Sequence, residues 1–98
     1  SATAPYISLE EFAVAIKDLP VASLHAKAAE LRNSIYHMTR SNSQLEPFAA
    51  EGDAECADAM RENVEVMQRM RDRIGLLKAE VEGRGMMWVD EEPRPAAD

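Results

Sequence analysis

Apolar residues recur at helical spacing in three stretches of the chain. In the first, Leu9, Phe12, Ala13 and Ile16 fall at i, i+3, i+4 and i+7, one face of a short helix that ends near Asp18. Ser8 and Glu11 have the spacing of a capping box, in which each side chain accepts from the other's backbone N–H. Ile7 and Phe12 flank that cap at the spacing of a hydrophobic staple. Pro20 stops the helix because it disfavours helical geometry at Leu19. It can also open the next helix, where a missing N–H is no loss.

From Val21 the pattern becomes a heptad. Val21, Leu24, Ala28, Leu31, Ile35, Met38, Asn42 and Leu45 are spaced alternately by three and four, and only Asn42 is polar. Such a stripe faces a partner helix. Pro47 and Gly52 mark a loop, with Asp53 as the cap of the next helix. A second heptad runs from Cys56 through Met60, Asn63, Met67, Met70, Ile74, Leu77 and Val81. Gly75 lies off this seam at a cost of about 1 kcal/mol in helix propensity, and Gly83 and Gly85 end it. A loop of about seven residues makes the two long helices antiparallel neighbours. Opposed positions then place Leu45 by Cys56, Leu31 by Met70, Leu24 by Leu77 and Val21 by Val81, so the two seams register without a slip. The expected fold is all-α: a short N-terminal helix followed by a long antiparallel helical hairpin of coiled-coil type. An extension (1–7) precedes the hairpin domain (8–83). A tail (84–98) comes after it, in which Pro93 and Pro95 oppose regular structure.

Composition narrows the picture. The chain has 98 residues, enough for one domain, with 46% apolar residues, six Met and only five aromatics. The core is therefore an interface of Ala, Leu, Val and Met, with little room for a catalytic cleft. Eleven basic and 18 acidic residues give a net charge of −7, which opposes broad binding to nucleic acid. The imbalance is local. Residues 8–45 are neutral, whereas 46–83 carry five basic and ten acidic groups, and Glu46, Glu51, Asp53, Glu55 and Asp58 crowd the loop end. One cysteine excludes an internal disulfide and fits a reducing compartment, with the cytoplasm as the expected location and the nucleus as the second. No apolar run reaches the roughly 18 residues of a membrane span.

Catalytic signatures are missing: there is no nucleophile elbow, Gly-rich phosphate loop or paired-Cys metal motif. No enzymatic activity, cofactor or metal is expected. His25 and His37 lie twelve residues apart on one helix, too far to share a metal, and read as surface positions. Cys56 sits on the seam among acidic residues, which raise a thiol pKa and oppose a reactive thiolate. Asn42 and Asn63 are more informative. Each occupies a seam position where an apolar residue would be more stable, and a buried Asn commonly fixes register or partner choice. Register setting is the first reading, contact with an outside partner the second, and plain solvent exposure near the loop end the third.

Asn33-Ser34-Ile35, His37, Arg40-Ser41-Asn42 and Leu45 together read N-S-I-x-H-x-x-R-S-N-x-x-L. This resembles the fungal ATPase-dedicated proteasome assembly chaperones, also called translation-machinery-associated proteins. Glu10-Glu11-Phe12 with Ala15-Ile16 is similar to that family's opening helix. Arg61-Glu62-Asn63, followed by Val66, Arg73 and Leu77, is similar to its last helix. The inter-helix loop is shorter than the family's acidic loop, and Met86, Met87 and Trp88 stand where polar sequence is expected.

The resemblance implies an interaction protein without catalysis. It would bind a proteasomal ATPase of the regulatory-particle base near its N-terminal coiled coil, promote ATPase pairing under stress, and leave before the proteasome matures. It places partner contact on His37, Arg40, Ser41, Asn42, Arg61, Glu62 and Asn63. Exposed helix faces rich in Met suit addition to another coiled coil. Two other readings stay open. One is a generic coiled-coil scaffold or adaptor. The other is a ribosome-associated factor, prompted by the family's second name and by Arg69, Arg71 and Arg73. Apolar residues outside the seam (Val64, Val66, Met86, Met87, Trp88 and the row Ala22, Ala26, Ala29) would be covered if two hairpins paired into a four-helix homodimer.

Overall fold

The computed structural model describes residues 7–90. The rest of the expected extension and tail, residues 1–6 and 91–98, lies outside the described residues. Helix α1 spans Leu9–Ala15 and runs into a single 3₁₀ turn at Ile16–Asp18; α2 spans Val21–Ala50 and α3 spans Ala54–Gly83. No strand occurs among the described residues, and α2 and α3 pack against each other as a hairpin. The fold is all-α, as the two heptads require.

Local chemistry sets each boundary. Ser8 and Glu11 form the capping box: Ser8 N–H donates to Glu11 Oε1 at 2.9 Å and Glu11 N–H to Ser8 Oγ at 3.0 Å. Leu19, held extended before the proline, ends the 3₁₀ turn. Pro20 then serves as the N-cap of α2, its carbonyl accepting from Ser23 and Leu24 N–H.

The connection between the long helices differs from the sequence expectation. Pro47 does not mark a loop but lies inside α2, which continues to Ala50. The turn is therefore only Glu51, Gly52 and Asp53. Asp53 N–H reaches back to Phe48 O at 3.0 Å and Gly52 N–H to Ala49 O at 3.0 Å, the bond pair of a Schellman stop, with Gly52 at φ +100°. Asp53 then caps α3 by accepting from Cys56 N–H at 3.0 Å. One helix stop fused to the next helix start leaves no room for a longer loop. The polar run before Pro47 is helical, and two of its hydroxyls bond back to carbonyls one turn earlier. Thr39 Oγ1 donates to Ile35 O at 2.8 Å and Ser43 Oγ to Thr39 O at 3.2 Å.

The core is lopsided. Phe12, Ile16, Leu24, Ala28, Leu77 and Val81 form one buried cluster at the end of the hairpin far from the turn, with Val21, Leu31, Leu76 and Trp88 packed on it. Helix α1 closes that end. Arg84 Nη2 donates to Lys17 O at 3.0 Å, while Arg73 Nη2 donates to Ile7 O at 2.8 Å and its guanidinium stacks over the Phe12 ring. Towards the turn the seam is two helices thick. Met67 is buried there, but Ile35, Met38, Leu45, Met60, Met70 and Ile74 are only half-buried.

Candidate partner interface

The seam heptads divide the N-S-I-x-H-x-x-R-S-N-x-x-L motif into two faces. Ile35, Asn42 and Leu45 turn inward and are half-buried, as is Ser41 beside them. Asn33, His37, Arg40 and Gln44, spaced four, three and four, are all exposed and form an outward stripe on α2. Along α3, Arg61 and Glu62 are exposed and Asn63 is half-buried. The structure brings Asn42 and Asn63 together: Asn63 Nδ2 donates to Asn42 Oδ1 at 2.8 Å, and Asn42 Nδ2 donates to Met60 O at 3.2 Å. The two amides satisfy each other at the seam, which is the geometry of a register lock. Arg61 pairs with Asp58 one turn earlier. His37 meets the Tyr36 ring edge-on, with centroids 5.5 Å apart.

Sequence reasoning missed a second constellation. His25 is not a bland surface position. Its ring stacks on Trp88 at 4.9 Å between centroids, and its Nε2 accepts from Val89 N–H at 3.3 Å. Arg32 also lies over the Trp88 ring, 5.4 Å from its centroid, and binds Asp90 Oδ1 at 2.8 Å. The same carboxylate oxygen accepts from Trp88 Nε1 at 2.6 Å. Residues 86–90 thus form a strap laid along α2 beside Ala22, Ala26 and Ala29. A second Schellman stop aims it there, with Gly85 at φ +79° and Met86 N–H bonded to Val81 O. The sequence offered only a small-residue row on one helix face and a lone tryptophan downstream, with no spacing that links the two.

At the turn end, Ala49, Ala57, Met60 and Val64 line an apolar groove of about 460 Å³, edged by Arg61 and Glu65. Cys56 lies nearby, half-buried. Its thiol is pushed up, first by burial, then by the hydrogen bond to Asp53 and the charges of Asp53 and Glu55. Asp53 is held below the ordinary carboxylate value chiefly by the N–H of Cys56. Such a thiol is a poor nucleophile. Among the described residues no group of three or more His, Cys, Asp or Glu side chains is placed to hold a metal ion, and no helix is long and apolar enough to cross a membrane.

The molecule is a small helical hairpin with one end closed by α1 and the other end bare. The chain belongs to the TMA17 helical domain family, the ATPase-dedicated proteasome assembly chaperone family, whose model matches residues 8–88. No curated protein and no solved structure matches it.

Proposed function

We propose that this chain is a non-catalytic assembly chaperone that binds a proteasomal base ATPase along the helix of its N-terminal coiled coil and promotes pairing with a neighbouring ATPase. Membership of the TMA17 helical domain family over 81 of 98 residues carries this reading, since 8–88 takes in all three helices and the strap up to Trp88. The bare half of the hairpin supports it physically. A third helix laid on α2 and α3 would remove the half-exposed seam residues from water and extend an existing coiled coil. The exposed stripe of His37 and Arg40, with Ser41 at its edge, offers polar contacts that the fold itself does not use for packing.

The test is capture from cell extract with the tagged full chain. Recovery of base ATPases without the mature core particle supports the reading, and a chain that captures no ATPase overturns it. Changing Arg40 and Ser41 together to Ala should leave the melting temperature nearly unchanged and weaken capture. Unchanged capture would move the contact away from that stripe.

A further inference from the structure

The apolar groove at the turn end sits in the most acidic part of the molecule. Between Arg40 and Arg69 the chain holds seven carboxylates (Glu46, Glu51, Asp53, Glu55, Asp58, Glu62 and Glu65) and a single base, Arg61. That base is already paired with Asp58. The segment therefore supplies −6 of the chain's −7 net charge. Within this field Val64 keeps an exposure of 54%, although Ala49, Ala57 and Met60 beside it make the surface almost wholly apolar. Glu65 edges the groove on α3, and Glu46 stands three residues before Ala49 on the same side of α2.

We propose that this groove is the docking site for an amphipathic helix whose aliphatic stripe is flanked by Lys and Arg. The groove runs between two helices, the setting in which a third helix packs, and α1 shows the same arrangement at the opposite end. There Phe12 and Ile16, four residues apart, enter the cluster formed by α2 and α3. The groove is shallow and its floor is built of alanines and one flexible Met, which admits Leu- or Ile-sized knobs. The carboxylates of this segment, with Glu65 at the groove itself, select the sign of the flanking charge and speed encounter at low salt. They also exclude the alternatives: nucleic acid and anionic lipid are repelled, and a second copy would press one acidic tip against another. This site deepens the proposed function, on which its natural occupant, a helix of the ATPase coiled coil, rests.

The test uses the full chain and two fluorescent synthetic peptides of about 18 residues, one an amphipathic Leu/Lys helix and the other its Leu/Glu counterpart, long enough to form several turns. Anisotropy should show binding of the Leu/Lys helix only, weakening as salt rises. Val64→Lys should weaken it by about tenfold, as expected of a central contact in a small interface. Val14→Lys is the control, because Val14 is 63% exposed on α1 and the substitution adds the same charge; it should change binding less than about twofold. Equal weakening by both variants would reduce the effect to net charge and overturn the groove. Binding of the Leu/Glu helix would overturn the charge selection. A dimer in light scattering that Val64→Lys dissolves would give the groove to a second copy instead. Capture of ATPase by the same variants separates the two proposals. Lost peptide binding with retained ATPase capture upholds the groove and removes the ATPase from it, whereas a wild-type chain that binds peptide but captures no ATPase overturns the proposed function alone.

Discussion

Asn63 donates its side-chain amide to Asn42 Oδ1 across the seam at 2.8 Å, and Asn42 donates onward to Met60 O. Neither amide is stranded where water is partly excluded, so the pair is tolerated in a stripe that is otherwise apolar. Removing one member strands the other. Asn42→Leu alone should destabilise the hairpin by about 1 kcal/mol, because the gain in apolar burial is offset by an unpaired amide. Replacing both by Leu should be neutral or stabilising. Urea melts of the four proteins give the coupling as a double-mutant cycle, and additive losses would show that the two amides do not act together.

Stability should fall along the hairpin from its closed end to its turn. Leu77 is fully buried in the cluster that α1 and the strap cover, so Leu77→Ala should cost about 2–5 kcal/mol by leaving a cavity. Met60, half-buried on the bare half, already meets water, and Met60→Ala should cost less than about half as much. Native-state hydrogen exchange should give the same order, with amides around Leu24 and Leu77 exchanging slowest. Uniform protection along both helices would contradict the lopsided core.

Trp88 is the chain's one tryptophan, so its emission reports the strap directly. Stacked on His25 and covered by Arg32, it should emit to the blue of free indole in water. His25→Ala removes the stacking face and the acceptor for Val89 N–H, and should shift the emission to the red while leaving the helical circular dichroism intact. Trp88→Ala should lower stability by about 1–3 kcal/mol, since an aromatic packed on the core is lost. Unchanged emission in the His25 variant would mean that the imidazole does not hold the strap.

The long helices were legible because two seven-residue repeats joined by a short connection make antiparallel neighbours. With Leu24 and Leu77 on facing seams, an antiparallel hairpin is the arrangement that buries both, and the capping box at Ser8 was equally plain. The register was not: the short turn pairs Asn42 with Asn63 and Thr39 with Met67, about one helical turn away from the alignment that sets Leu45 by Cys56. Pro47 misled because it sits in the last turn of α2, where the carbonyl that loses its partner belongs to Ser43, an exposed residue; the helix runs on and the Schellman stop at Gly52 does the terminating. The strap was hidden for another reason. Trp88 lies beyond the last repeat, and its partners His25, Arg32 and Asp90 are separated from one another by up to 65 residues, so no local spacing links them. The charge of the turn end was visible in the sequence, but the groove it surrounds needed Ala49 of one helix to lie beside Ala57 and Val64 of the other.

Asp53 joins the cap of α3 to the chemistry of Cys56, and each can be read through pH. The folded state holds the Asp53 carboxyl below its ordinary value of 3.8, chiefly through the Cys56 N–H it accepts. A carboxylate with a lowered folded pKa adds stability that is fully present above the unfolded value and is lost as pH falls through the folded one. Asp53→Ala should therefore melt lower than wild type at pH 7, and the gap should close as pH falls below about 4. Asp53→Asn keeps an N-cap and should melt close to wild type at pH 7. The thiol moves the other way. Burial is the largest cause of its raised pKa and Asp53 comes second, so Asp53→Asn should speed iodoacetamide alkylation of Cys56 at pH 8 without reaching the rate of a free cysteine peptide. A rate equal to that of the free peptide would make Asp53 the dominant cause and burial the minor one, and no change at all would remove Asp53 from the account.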